Sequence, residues 1–282
     1  MYFCQLETPE YRIDPALLST TTYWKMKKIL IVLIAFLGLT TAKAQYTTLN
    51  AHSHNDYAQQ TPFYLACNAR FGSIEADIWA IEGELYVAHN KAEISREKTL
   101  DLLYLQPIAE LFQKNGGKAW HDSPATFQLM IDLKTAVEPT LSLLTEKLRK
   151  YPQLFDPSVN KNAVRVVITG NRPAPSLFSE YPKFIYFDGN VSKKYDAEQL
   201  KRVALYSENL AQFTLWRGTE SIPEKEELRL RQLIDSVHGI GKKIRFWNAP
   251  DTSDAWKVLM KMKVDFINTD HIPELSSFLN SK

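Results

Sequence analysis

The sequence is poor in cysteine, with two in 282 residues. Cys4 lies ahead of the stretch read below as a removed leader, so Cys67 alone would remain in the working chain. A single cysteine excludes an internal disulfide, and stability must then come from core packing. Cys67 follows Leu65 and Ala66 in an apolar helical pattern, the setting of a buried inert thiol rather than a nucleophile. Charge of one sign is also missing. The formal net charge is +2, and the body of the chain has no block of Lys and Arg, so the electrostatic footprint of a nucleic-acid binder is absent. No glycine-rich turn follows the first apolar run, where Ala51-His52-Ser53-His54 stands instead, and this argues against a dinucleotide-binding open sheet. Internal repeats, linkers and low-complexity runs are lacking too, which leaves one domain.

The one long hydrophobic run, Ile29 to Leu39, is too short to span a bilayer comfortably. Lys25-Met26-Lys27-Lys28 precedes it and Ala42-Lys43-Ala44 follows, the charged, apolar and small-residue order of a secretory signal. Residues 26–44 are therefore read as a cleaved signal peptide. Residues 1–25 are read as untranslated or disordered, with the start at Met26, and residues 45–282 as the folded domain. The expected location is exported, periplasmic or secreted, with no membrane span after cleavage. No Cys follows the cleavage box, which argues against a lipoprotein. Without Arg12, Lys25, Lys27, Lys28 and Lys43 on one side, and Glu7, Glu10 and Asp14 on the other, basic and acidic residues balance.

From Thr47 short β-rich runs alternate with segments of helical spacing. Strands are predicted at 47–52, 73–79, 85–89, 127–133, 163–169, 184–187, 213–216, 244–247 and 266–268. Helices are predicted at 62–70, 99–114, 137–151, 197–209, 224–238, 255–262 and 273–279. Eight βα units with near-continuously apolar strands point to an α/β fold, a single (β/α)8 TIM barrel. Function in such barrels sits at the C-terminal strand ends. Polar residues collect there: His52, His54, Asn55 and Asp56; Glu75 and Asp77; His89; Asp132 and Lys134; Arg172; Asp188 and Asn190; Arg217; Trp247; and Asp270.

Three polar knots within about forty residues, His52 to Asp56, Glu75 to Asp77 and His89-Asn90, each close an apolar run. Glu75 and Asp77, two apart on a strand, point the same way, and Asp132 ends the next strand. Clustered carboxylates repel one another unless a cation lies between them, and hard oxygen ligands select Mg²⁺ or Ca²⁺, one ion held by Glu75, Asp77 and Asp132. The bland alternative is an ion network of Glu75 and Asp77 with Lys134 and Arg217. His52 and His89, on different strand ends, form an imidazole pair suited to displacement at phosphorus, one taking a proton and the other giving one.

The order His52, Glu75-Ala76-Asp77, His89, Asp132-Leu133-Lys134 and Asn268-Thr269-Asp270 resembles the glycerophosphodiester phosphodiesterase branch of the phosphatidylinositol phospholipase C-like superfamily. The resemblance implies a barrel phosphodiesterase with His52 and His89 as acid and base, Glu75, Asp77 and Asp132 on Mg²⁺ or Ca²⁺, and Lys134 near the phosphate. It implies a small-molecule or lipid-headgroup phosphodiester as substrate. The chain is expected to act as a monomer. Glycerophosphodiesterases place Arg-Gly after the first His, the Arg gripping phosphate, whereas Ser53-His54 stand here. Asn90 and Asp132 replace the usual Asp and Glu. Sphingomyelinase D-like enzymes also lack that Arg and use Asp as third ligand, and a group of exported bacterial proteins shares the His-Ser-His-Asn-Asp-Tyr opening. Substrate contacts are accordingly expected from Lys134, His54, Asn55, Asp56, Arg217 and Trp247.

Two other readings fit some of these residues. His52-Ser53-His54 is also the His-x-His pair of zinc amidohydrolase and phosphatase barrels, although later strands offer no further histidines. An exported binding protein without turnover would place Tyr57, Trp79, Trp216 and Trp247 around a ligand.

Overall fold

The computed structural model describes residues 46–219 and 221–281. Nine strands form one sheet: β1 (Ala51–Ser53), β2 (Ser73–Ile81), β3 (Glu84–Val87), β4 (Gln128–Leu133), β5 (Arg165–Gly170), β6 (Ile185–Gly189), β7 (Val203–Asn209), β8 (Lys243–Trp247) and β9 (Ile267–Thr269). Their order is β8-β7-β6-β5-β4-β2-β1-β9, all parallel, with β3 folded back antiparallel on β2. A bridge between Arg245 and Phe266, with Asp265 N donating to Ile244 O at 3.0 Å, joins β8 to the approach to β9 and nearly closes an eight-stranded barrel. Helices α1 (Tyr64–Asn68), α2 (Gln106–Lys114), α3 (Val137–Arg149), α4 (Pro152–Phe155), α5 (Ala197–Arg202), α6 (Glu224–Gly239), α7 (Ser253–Lys261) and α8 (Ile272–Asn280) fill the connections. This is the predicted TIM barrel.

Strand alternation sorts the side chains into two sets. Leu129, Ile131, Val166, Ile168, Phe187, Ile244 and Phe246 belong to the large core shared with the helices. Met130, Val167, Leu205 and Phe266 form a separate buried cluster, a plug inside the barrel. Two residues further along the same faces come Asp132 on β4, Thr169 on β5 and Ser207 on β7. Registers Glu75↔Met130, Asp77↔Asp132 and Asp132↔Thr169 place these polar residues in successive layers towards the C-terminal ends. Cys67 is a buried free thiol, which burial and the Asp56 charge push up to about 12.

Two boundaries differ from expectation. The segment predicted as one helix, 197–209, is α5 followed without a turn by β7. Four of the five residues from Val203 to Ser207 are buried, so the strand has no period-two signal. Consequently Phe213–Trp216 is a loop rather than a strand. Ahead of β1, Thr48–Asn50 forms a 3-10 turn where the strand was expected to begin.

Candidate active site

Inward parity on β2 and β4 brings Glu75, Asp77 and Asp132 together, with one ligand oxygen from each within 4.8 Å of the others. Asp77 Oδ1 is buried and has no hydrogen-bond partner. Lys134 Nζ lies 2.9 Å from Asp77 Oδ2 and donates to Asp132 Oδ2 at 2.8 Å. Burial and the neighbouring Glu75 charge push the Asp77 carboxyl up, against the pull of Lys134. An orphaned buried oxygen in a trio of carboxylates fits a hard divalent cation, so the residues present suit Mg²⁺ or Ca²⁺.

His52 is fully buried. Its Nδ1 lies 2.6 Å from Ser73 Oγ, which Gln128 Nε2 reaches at 3.0 Å, and its Nε2 lies 2.7 Å from Glu75 Oε2. Arg245 approaches the same two atoms: Nη1 donates to Glu75 Oε2 at 2.7 Å and closely contacts His52 Nε2. Further bonds from Arg245 go to Asn268 Oδ1 (3.1 Å) and Ser207 Oγ (3.1 Å). Burial first, and then the guanidinium, lower the His52 pKa to about 3. For Glu75 burial works upward, but Arg245 and His52 outweigh it and hold the carboxyl well below its usual range.

His89 is the accessible imidazole, with its side chain 55% exposed. Its Nδ1 lies 3.2 Å from Asp77 Oδ2 and 3.3 Å from the Tyr57 hydroxyl. That hydroxyl also lies 2.7 Å from Asp77 Oδ2 and 2.6 Å from Asn55 Oδ1; with one hydrogen, it donates to one of them. His89 Nε2 has no protein partner among the described residues.

A cavity of about 410 Å³ opens at this end of the barrel, and apart from Gly170 and Trp247 every residue lining it is polar or charged. Glu75, Asp132, Lys134, His89, His54, Asn55 and Trp247 all line it, whereas His52 lies behind Glu75 and Arg245. A second cavity, about 340 Å³, sits around the opposite strand ends and contains none of the candidate residues.

Two expected substrate contacts are corrected. Asp56 is fully buried and accepts hydrogen bonds from Ser53 Oγ (2.8 Å), Phe63 N (2.5 Å) and Tyr104 OH (3.0 Å). It pins the loop after β1 and does not line the cavity. Arg217 donates to Trp216 O at 3.1 Å and is also outside the lining, because the strand expected to carry it is a loop. In the ion network its place beside Glu75 is taken by Arg245. The His-x-His pair does not form: β1 ends at Ser53, Asn55 is left-handed (φ 45°), and His54 Nδ1 lies 2.9 Å from Asp270 Oδ1. Arg245, Ser73 and Gln128 were missed. A charge inside the apolar run Ile244-Arg245-Phe246, two residues before Trp247, was the available signal for Arg245.

Comparisons with known proteins bear on this geometry. Residues 40–188 match the family model described as the AIM6-like phosphodiesterase domain, and residues 243–273 match that of the glycerophosphoryl diester phosphodiesterase family. Altered inheritance of mitochondria protein 6 of Kluyveromyces lactis is 25% identical, over 81% of this chain and 72% of that one. Its homolog from Arthroderma benhamiae is 25% identical, over 78% and 81%. Among solved structures, a glycerophosphodiester phosphodiesterase from Parabacteroides distasonis superposes with a TM-score of 0.52 at 14% identity, covering 82% of this chain and 97% of that one, a likeness of fold.

These relatives correct the expected location. They are fungal proteins named for mitochondrial inheritance rather than exported bacterial proteins, so the assignment to periplasm or secretion does not stand. The proposed signal, residues 26–44, lies outside the described residues. No helix among the described residues is long and apolar enough to cross a membrane. The AIM6-like match covers more than half of the chain and includes the carboxylate trio and both histidines, and the chain belongs to the AIM6-like phosphodiesterase domain family.

Proposed function

We propose that the protein is a metal-dependent phosphoric diester hydrolase acting on a glycerophosphodiester or headgroup-type substrate. The observation that carries this reading is the trio Glu75, Asp77 and Asp132 with the orphaned buried oxygen of Asp77, of which Glu75 and Asp132 line one polar cavity with Lys134 and His89. These three residues would hold one divalent cation, Mg²⁺ or Ca²⁺, which when bound neutralises charge growing on the phosphoryl oxygens. The absence of aliphatic side chains from the lining favours a polar diester over acyl chains.

The two imidazoles divide the proton work. His52 rests neutral, its pKa lowered to about 3. Its role as base towards the attacking hydroxyl or water requires Arg245 to move off Nε2, which here faces Glu75 and Arg245 rather than the cavity. Its Nε2 lies between Arg245, which can only donate, and ionised Glu75, which can only accept. The neutral ring accepts from Arg245 and the protonated ring donates to Glu75, so either state has a partner. His89, tied through Nδ1 to Asp77 and Tyr57, keeps Nε2 for the leaving oxygen. Lys134 steadies Asp77 and Asp132 and offers its charge to the phosphate.

The test is hydrolysis of bis(p-nitrophenyl) phosphate and glycerophosphocholine with Mg²⁺ or Ca²⁺ supplied. Turnover lost at least a hundredfold in His52→Ala and in His89→Ala supports the reading. Full activity in both variants, or no turnover on a phosphodiester panel beside tight ligand binding, defeats it.

A further inference from the structure

The geometry points to Arg172 as the residue that grips the substrate's phosphate, the task left open by Ser53 behind His52. This rests on the phosphodiester reading and goes beyond it by assigning the anion-binding side chain. Ser53 cannot serve, because it is buried and its hydroxyl is committed to Asp56 at 2.8 Å. Three permanent cations line the cavity: Lys134, Arg172 and Arg245. Lys134 is held between Asp77 and Asp132, and Arg245 is bonded to Glu75, Asn268 and Ser207.

Arg172 differs from both. It is half-buried, yet its guanidinium has no hydrogen bond or ion pair among the described residues. Asp188 is close enough to feel its charge, but Asp188 Oδ2 accepts from Thr169 at 3.0 Å and its buried Oδ1 has no partner, so the two form no ion pair. A partly desolvated guanidinium keeps five N–H donors in a planar fork that matches two phosphate oxygens. An anion in the cavity supplies the acceptors that the protein does not.

The backbone that carries Arg172 is fixed in advance. Gly170 is left-handed (φ +69°) and lies against the Asp132 carboxylate, which sets the turn beside the proposed cation ligands. Asn171 N donates to Leu133 O at 3.0 Å, Asn171 Nδ2 to Thr135 O at 3.3 Å, and Arg172 N to Gly170 O at 2.8 Å. The turn is thereby tied to β4 and the loop leading into α3, which fixes the backbone from which Arg172 reaches the cavity.

Inorganic phosphate and dimethyl phosphate, titrated calorimetrically into wild type, Arg172→Ala, Arg172→Lys and Arg245→Lys with Mg²⁺ present, test the assignment. Arg172→Ala should weaken phosphate binding at least tenfold with an unchanged thermal midpoint, since it breaks no bond, and Arg172→Lys should recover part of the loss. On an active diester the same variant should raise KM more than it lowers kcat. Unaltered phosphate affinity in Arg172→Ala overturns the proposal, as does loss confined to Arg245→Lys or a wild type that binds no phosphate. Arg172-dependent phosphate binding without turnover of any diester would leave the clamp standing and remove the enzymatic reading instead.

Discussion

Gly170 lies against the carboxylate of Asp132 so closely that a Cβ at position 170 would overlap Asp132 Oδ1 and Cγ, and its φ of +69° lies in the left-handed region. One strand's end thus dictates where the neighbouring strand's carboxylate can stand. Gly170→Ala should displace Asp132, weaken divalent-cation binding at least tenfold and cost about 1–3 kcal/mol of stability from the backbone alone. Calorimetric Mn²⁺ titration and thermal melting measure both effects. Wild-type metal affinity in the variant would show that Asp132 is no ligand.

The Tyr57 hydroxyl touches Asp77, Asn55 and the Nδ1 side of His89. Tyr57→Phe keeps the ring and removes only this tether, so the fold should survive within about 1 kcal/mol. A drop of about tenfold in kcat, with KM little changed, is expected because His89 loses its orientation. Equal losses in a Tyr57→Phe, His89→Ala double variant and in His89→Ala alone would place the two in one unit, whereas additive losses would separate them.

Asp56 carries a pH dependence of stability whose sign follows from its burial. Burial raises its carboxyl from 3.8 to about 6, although Phe63 N, Ser53 and Tyr104 all donate to it. A folded-state pKa above the unfolded value stabilises fully below the unfolded pKa, and this contribution disappears as pH rises through about 6. The amount is about 3 kcal/mol. Denaturant melts between pH 4 and pH 7 should show this slope in wild type, and Asp56→Asn should remove it. Asp56→Asn should also be destabilised by about 1–3 kcal/mol, since an amide nitrogen cannot accept from its donors.

Arg245 and Glu75 form a buried ion pair at 2.7 Å, each almost inaccessible. Removing one partner leaves an uncompensated charge, so Arg245→Met should lose about 3–5 kcal/mol. Divalent cation should recover part of that loss by binding only the folded state. A melting temperature for Arg245→Met that does not respond to Mg²⁺ or Ca²⁺ would count against Glu75 as a ligand.

Much of this site was readable because β2 and β4 keep a strict alternation through apolar runs. Glu75, Asp77 and Asp132 therefore have a defined face in the sequence alone. The same rule misled at His54, since β1 stops at Ser53 and the left-handed Asn55 turns the chain towards Asp270. Around β7 the signal failed altogether. Val203 to Asn209 follows α5 without a turn residue, and burial on both faces erases alternation, so the strand passed for helix and Arg217 was set at a strand end that does not exist. Arg245 and Ser207 escaped because contacts between β8, β7, β1 and β2 depend on barrel closure, which no local pattern encodes.

The assignment at stake is the carboxylate trio as the holder of the cation on which the proposed phosphodiester hydrolysis depends. Its most direct test is the initial rate of bis(p-nitrophenyl) phosphate hydrolysis by chelator-stripped protein as Mg²⁺ or Ca²⁺ is returned, for wild type and Asp77→Asn. A rate near zero without metal, rising to saturation in wild type and at least a hundredfold lower in Asp77→Asn, is the predicted result. Hydrolysis that persists in the stripped protein, or that saturates equally in Asp77→Asn, would contradict it.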